Sequence, residues 1–355
     1  MYTREIQECP KSFVKHKKPV FGTFKGHPEK LDIRGVFRPY GTIPLPVFIT
    51  NLRIKSRLSL FFTIGEFIGF IEFFDAKISG MAEVCFWNKN TKQRYCYRSV
   101  MGPRRRFVPH KLDIAATSSY KKSRYIRISW NRAQDKLSVV FNLSGDEVRP
   151  STVAAMSGKF SSPQAAEITC VSPAPTTRRC SAHYFAVLPL HGAITLKPLL
   201  DSPKTMPDAD GCAFLDVNRI YMKFRSIGEF LTGTGIIGEK QIAFRVASDS
   251  QDAVDQEKYN GNVLFYDGKE TPLPPVVITH HYGITKQWVI QDTENMVDLT
   301  FTPISDNMHI ISVVIAKTEY HTIYGTLDGA LLTATGEKIA LKAFPALIRK
   351  YNIRL

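Results

Sequence analysis

At 355 residues, with 44% hydrophobic and 22% charged positions, the chain is long enough for two hydrophobic cores and too apolar for wholesale disorder. Its formal net charge of +15 is unevenly placed: residues 1–150 hold 28 Lys and Arg against 12 Asp and Glu, whereas residues 151–355 hold 19 against 20. The six cysteines, at 9, 85, 96, 170, 180 and 212, form no C-x-x-C pair and no zinc-type spacing, so reduced thiols are expected, with no metal and no cofactor.

Residues 1–18 are polar, include Lys15, Lys17 and Lys18, and contain no apolar run. They read as an N-terminal arm without a secretory signal, which points to a cytoplasmic protein. Arg53, Lys55 and Arg57 alternate with Leu52, Ile54 and Leu58, so a strand here carries three cations on one face. The apolar stretch from Leu58 to Phe74 holds Glu66 near its centre and Glu72 near its end. That makes it a hairpin of buried strands around Gly65 and Gly69 rather than a membrane span. A glutamate turned inward there is desolvated and becomes a candidate general acid, Glu66 above all, with Glu72 a candidate ligand contact. Outward-facing glutamates on an amphipathic hairpin are the plainer reading.

Arg104, Arg105 and Arg106 join Arg53, Lys55 and Arg57 as the candidate anion-binding set, suited to phosphates or to peripheral contact with an anionic membrane surface. No helix-turn-helix, RNA-recognition or zinc-finger word accompanies them, so sequence-specific nucleic-acid binding is not expected and a solvated basic face is the alternative. Ile126, Ile128 and Trp130 alternate with polar residues, and Leu137, Val139 and Phe141 repeat the pattern after a turn: a hairpin. Ser144 to Arg179 is rich in Ser, Pro, Ala and Thr and is read as the junction between a basic N-terminal β domain, residues 19–178, and a second β domain, residues 179–355.

In the second half Arg219 and Tyr221 lie opposite Ile220 and Met222 on an alternating strand and are candidate ligand contacts. Gly233 to Gly238 spells G-x-G-x-x-G but leads into the alternating strand at Ile242, so it reads as a glycine-rich hairpin turn and not a dinucleotide loop. His281, in His280-His281-Tyr282-Gly283, is a candidate acid or base that His183 and His191 could approach in space; a surface turn is the plainer reading. Trp288 is expected in core packing or a pocket wall, and Asp298 alternates away from the apolar face of its strand as a third candidate acid or base. Short helices are expected only near Asp252–Tyr259 and Leu341–Tyr351.

Gly261-Asn262, Tyr266-Asp267-Gly268, Trp288-Val289-Ile290, Val297 to Pro303, and Tyr324-Gly325 before Leu327, in that order and spacing, resemble the C-terminal half of the bacterial domain-of-unknown-function 2804 family. The resemblance continues more weakly through Leu188 to Gly192, Leu215-Asp216 and Phe73-Phe74-Asp75, from about Pro19 to the end. Arg225 to Phe230 departs from the aromatic segment usual in that family. The resemblance implies a layout similar to two-domain lipocalin-like proteins, a group that includes hydratases and cyclases. The expected fold is therefore all-β, with two antiparallel sandwich- or lipocalin-like barrel domains and few short helices. The expected partner is a hydrophobic small molecule such as a lipid, isoprenoid or polyketide. It is bound in the second barrel or between the domains, and isomerised, hydrated or cyclised without metal if the protein is an enzyme. The alternative is a non-enzymatic module docking on an anionic surface through the basic half.

Overall fold

The computed structural model describes residues 1–41, 45–77, 79–102, 107–174, 178–197, 207–249, 255–313 and 316–354. Nearly everything is antiparallel strand, with one helix among the described residues, the six-residue Val47–Leu52. No helix among these residues is long and apolar enough to cross a membrane.

The first sheet is a nearly closed barrel. Its strands run in the order Arg94–Met101, Gly80–Asn88, Phe67–Asp75, Ile54–Ile64, Ala209–Tyr221, Cys180–Lys197, Ser151–Gly158, Lys136–Leu143, Arg124–Asn131 and Ile114–Lys121. Leu58, Leu60, Phe62, Ile71, Phe86, Ile128, Phe141 and Leu215 fill its interior. Residues 190–197 of the long Cys180–Lys197 strand pair with Ser151–Gly158, while residues 180–187 pair with the branch strand Ala166–Pro173. Pro189, which has no N–H to give to a ladder, stands where that strand changes partner.

The second sheet is a half-barrel, ordered Lys269–Pro272, Val263–Tyr266, Lys240–Asp249, Arg225–Ile237, Lys338–Arg354, Ala316–Leu332, Val297–Val313, Trp288–Gln291 and Val277–Thr279. Leu231, Phe244, Trp288, Leu299, Ile323 and Ile348 pack its concave side. Its other side lies on the outer face of the barrel, where Phe61, Phe70, Trp87, Phe185 and Phe214 meet Phe230, Tyr324, Leu347 and Tyr351. Leu58 to Phe74 reads as continuously apolar because its two strands are buried on both faces, one in the barrel and one against the half-barrel. The hairpin is as expected, with its turn at Gly65-Glu66 and an uninterrupted ladder through Gly69.

Several expectations differ from what is observed. The chain passes from one sheet to the other at residues 222–224, between Ala209–Tyr221 and Arg225–Ile237, and not near residue 179. Ser144 to Arg179 contributes two strands to the first sheet, because its small residues suit close pairing as well as they suit loops. Residues 1–18 are tied down: Phe13 is buried in the barrel core, and Arg4 reaches the second sheet's loop through the carbonyls of Asn260, at 2.9 Å, and Asn262, at 3.1 Å. Leu341–Tyr351 is strand, not helix. Ile348 faces the half-barrel core while Leu347 and Tyr351 face the barrel, and Ala343 at φ +47° marks an irregularity, so no clean period of two survives in the sequence. In the segment near Asp252–Tyr259, residues 256–258 form a turn and residues 251–254 lie outside the described set.

Candidate functional site

Cross-strand register builds a polar band into the apolar seam between the sheets. On the outer face of the barrel Asp216, Ser59, Glu72 and Glu83 lie side by side across four strands. Opposite them the half-barrel presents the row Phe230, Arg349, Thr322 and Asn307. Arg349 donates to Glu72, the Ser59 hydroxyl donates to Glu72 Oε2 at 2.9 Å, and Arg57 Nε stands 3.8 Å from the same oxygen. The Arg349 guanidinium also sits 4.1 Å from the centre of the Phe70 ring. Burial alone raises the Glu72 carboxyl, but the charges of Arg349 and Arg57 outweigh it and hold the group down at about 2. This carboxylate is an anchor, not an acid.

One row along the strands, His183, Asn218 and Arg57 stand in register, and the seam opens into a cleft of about 60 Å³. Arg57, His183, Asp216, Arg245 and Tyr351 supply its polar lining, with Ile220, Met222 and Ile353 as apolar neighbours. His183 Nδ1 lies 3.0 Å from Asp216 Oδ1, and the imidazole stacks on Phe185 at 5.2 Å. Burial raises the Asp216 carboxyl, yet His183, Arg245 and Arg57 together hold it below the ordinary carboxylate range. An ionised Asp216 accepts Nδ1–H, which fixes the tautomer and leaves Nε2 as the proton-exchanging atom. Arg245 gives one N–H to the Gly261 carbonyl at 3.3 Å and lies over Phe230, while its buried Nε has no hydrogen-bond acceptor. A Cβ on residue 261 would stand 3.1 Å from Arg245 Nη1, so glycine there leaves the guanidinium its room. The adjacent Asn262 ties the loop down through Ala247 N–H at 2.9 Å and the Pro274 carbonyl at 2.8 Å. Two cations and an oriented imidazole in one cleft can hold an oxyanion and shuttle a proton beside it.

Of the residues singled out in the sequence, the structure brings together Arg57 and Glu72. Glu66 is in the hairpin turn near Asn90, His281 is exposed in the turn that ends at Gly283, and Asp298 is exposed and accepts from Gln291 Nε2 at 3.0 Å. Glu66 belongs to the first sheet and His281 and Asp298 to neighbouring parts of the second, and none of the three lines the inter-sheet cleft. Arg219 and Tyr221 do lie opposite Ile220 and Met222, but their face is the barrel interior: the Tyr221 hydroxyl donates to the Ile33 carbonyl at 2.9 Å. Arg57 faces the seam, while Arg53 donates to the Met222 carbonyl at 3.1 Å and Lys55 to the Ala76 carbonyl at 2.6 Å, so the three alternating cations are engaged within the protein rather than forming one solvated face. Arg104, Arg105 and Arg106 lie outside the described residues. Trp288 is 0% exposed in a half-barrel core filled by side chains, with its indole N–H on the Ile284 carbonyl at 3.0 Å. His183 enters the sequence reading only as a possible neighbour of His281 and Asp216 only within a family word, while Arg245 and Arg349 are not singled out in it. The available signal was a carboxylate, Asp216, embedded in the apolar run Cys212 to Val217.

The fold and cleft define a two-sheet antiparallel β protein with a polar site in the seam. The family model described as Domain of unknown function (DUF2804) matches residues 45–354, and the chain belongs to that family. Comparison with curated proteins returned no match. Among solved structures, the crystal structure of kievitone hydratase from Nectria haematococca is similar at 10% identity and a TM-score of 0.43, over 84% of this chain and 88% of that one.

Proposed function

We propose that this protein binds a hydrophobic small molecule through its carbonyl or carboxylate end in the inter-sheet cleft and moves a proton on it, as in an isomerisation or a hydration. Arg57 and Arg245 hold the ligand oxygen as charge develops on it, His183 Nε2 takes up and returns the proton, and Asp216 keeps the imidazole in the working tautomer. The observation that supports this reading is the 3.0 Å His183–Asp216 contact opening onto the same cleft as the guanidinium groups of Arg57 and Arg245. At about 60 Å³ the cleft admits a polar head only, since one water takes up ~10–15 Å³ of such space. The apolar remainder of the ligand lies along Ile220, Met222 and Ile353. The reading takes the protein as cytoplasmic, where its six free cysteines suit a reducing compartment.

Native mass spectrometry of the freshly purified protein tests this. A small acid or carbonyl adduct is expected on the wild type and on His183→Gln, and is lost in Arg245→Gln. Incubation in D2O should label the retained ligand in the wild type and not in His183→Gln. An adduct kept equally by Arg57→Gln and Arg245→Gln would place the ligand elsewhere.

A further inference from the structure

The mouth of the barrel beside Ile54 and Arg219 holds a second and larger opening, a groove of about 910 Å³. Arg219 reaches it from the face of the Ala209–Tyr221 strand opposite Asp216, Asn218 and Ile220, so groove and cleft lie on the two sides of one strand. Arg219 is 2% exposed, and its guanidinium donates only to neutral groups: the Ser56 hydroxyl at 2.6 Å and the carbonyls of Val108 at 3.1 Å and Pro109 at 2.7 Å. No carboxylate among the described residues comes within salt-bridge distance of it, and its Nε has no acceptor. A further buried atom on the same lining that can donate, His110 Nδ1, also lacks a partner. An interior guanidinium without an anion is costly, and buried polar atoms without partners are rare enough to need an explanation.

The balance of charge gives the missing group its sign. Five cations, Lys30, Arg34, Lys77, Lys111 and Arg219, line the groove with two carboxylates, Asp32 and Asp75. Arg34 pairs with Asp32, Lys77 with Asp75 at 2.7 Å and Lys30 with Glu29 at 3.2 Å, which leaves Lys111 and Arg219 as the groove's cations without a carboxylate among the described residues. Burial and the charge of Arg219 lower the His110 imidazole to about 4, so it stands neutral at pH 7 with an N–H to give. The other component of the lining is apolar and unusually bare: Phe48 is 67% exposed and Leu52 49% on the short helix, facing Ile54, Ala115 and Ile114, the last 64% exposed. The volume lies within the usual span of ~300–1,000 Å³ for small-molecule sites, which barrel mouths commonly host.

We infer that this groove is a binding site for an anionic amphiphile, its oxyanion head seated on Arg219 and His110 and its apolar chain laid along Phe48, Leu52 and Ile114. The head is a phosphate or a carboxylate, which share the chemistry of a charged oxygen cluster facing a guanidinium. The site is independent of the seam, and its ligand need not be the one transformed there.

Titration with decyl phosphate below its critical micelle concentration, followed by calorimetry and by thermal shift, tests the inference. Binding at least tenfold tighter than that of inorganic phosphate is expected, and decanoate should compete. Arg219→Gln should weaken it at least tenfold. Because that buried change can impair folding, the exposed variants Ile114→Asp and Lys111→Glu are measured beside it; each should weaken binding while leaving the unliganded melting temperature near wild type. Equal affinity for inorganic phosphate, or wild-type affinity in both exposed variants, overturns the proposal. So does retention on phosphatidylserine vesicles with no binding of the monomeric amphiphile, which would make this face a membrane-docking surface instead. The deuterium exchange at the seam reads out separately, so either site can fail alone.

Discussion

Glu72 shows how an ionised residue comes to sit inside an apolar seam. Its strand partners place it between Ser59 and Glu83, and its charge is held by Arg349 and Arg57 from both sheets. Removing one partner of such a pair leaves the other charge buried and uncompensated, which costs about 3–5 kcal/mol. Glu72→Gln is therefore expected to lose that much stability at pH 7 in denaturant melts, while the double change Glu72→Leu with Arg349→Met recovers most of it. The pH dependence has a definite sign. The folded value of about 2 lies below the ordinary carboxylate value, so the stabilisation is complete above roughly 4.3 and disappears as pH falls toward 2. The gap between wild type and Glu72→Gln should close over that interval, and a gap that stays constant would show that the pairing is not its source.

At the scale of elements, the glycines of Gly233 to Gly238 divide their work. Gly238, at φ +62°, makes the turn between Arg225–Ile237 and Lys240–Asp249, as expected for a hairpin. Gly233 lies within the first strand, where a Cβ would stand 2.4 Å from Phe244 Cζ, so its bare backbone is what lets that ring cross the strand into the half-barrel core. Gly233→Ala should cost roughly 1–3 kcal/mol through overpacking. Thermal denaturation of that variant checks the magnitude, and a melting temperature equal to wild type would mean the ring has another place to go. Tyr266-Asp267-Gly268, one of the words shared with the family, is a hairpin turn with φ +50° at Asp267 and +74° at Gly268, the backbone that a tight two-residue turn requires.

The two sheets share a seam too apolar to expose. Phe61, Phe70 and Phe214 on one side and Phe230, Tyr324 and Leu347 on the other lose their cover if either sheet opens, and the N-terminal arm crosses from one to the other. Calorimetry should therefore record one cooperative transition, with matching calorimetric and van't Hoff enthalpies; two separated transitions would mean the seam is weaker than its composition. A chain ending at residue 178 lacks Cys180–Lys197 and Ala209–Tyr221, which join the two halves of the barrel's strand order. It is expected to aggregate on expression, whereas a stable soluble fragment of that length would argue for a division near the Ser144–Arg179 segment after all.

Alternation in the sequence determined the all-β class and most hairpins, since side chains on successive strand residues must face opposite ways. The words from Gly261 to Leu327 determined the family, because they encode turns and close approaches that few residues satisfy. Partner choice for the long strands was not legible: a strand buried on both faces loses its period of two, and a passage rich in Ser, Pro and Thr can equally pair or loop. The candidate site was not legible either. His183, Asp216, Arg57 and Arg245 come from four strands in two sheets and meet only through register and the packing of one sheet on the other. Which face of an alternating strand is inside also waits on closure of the barrel, and that closure decided that Arg219 serves the groove while Asp216, three residues earlier, serves the seam.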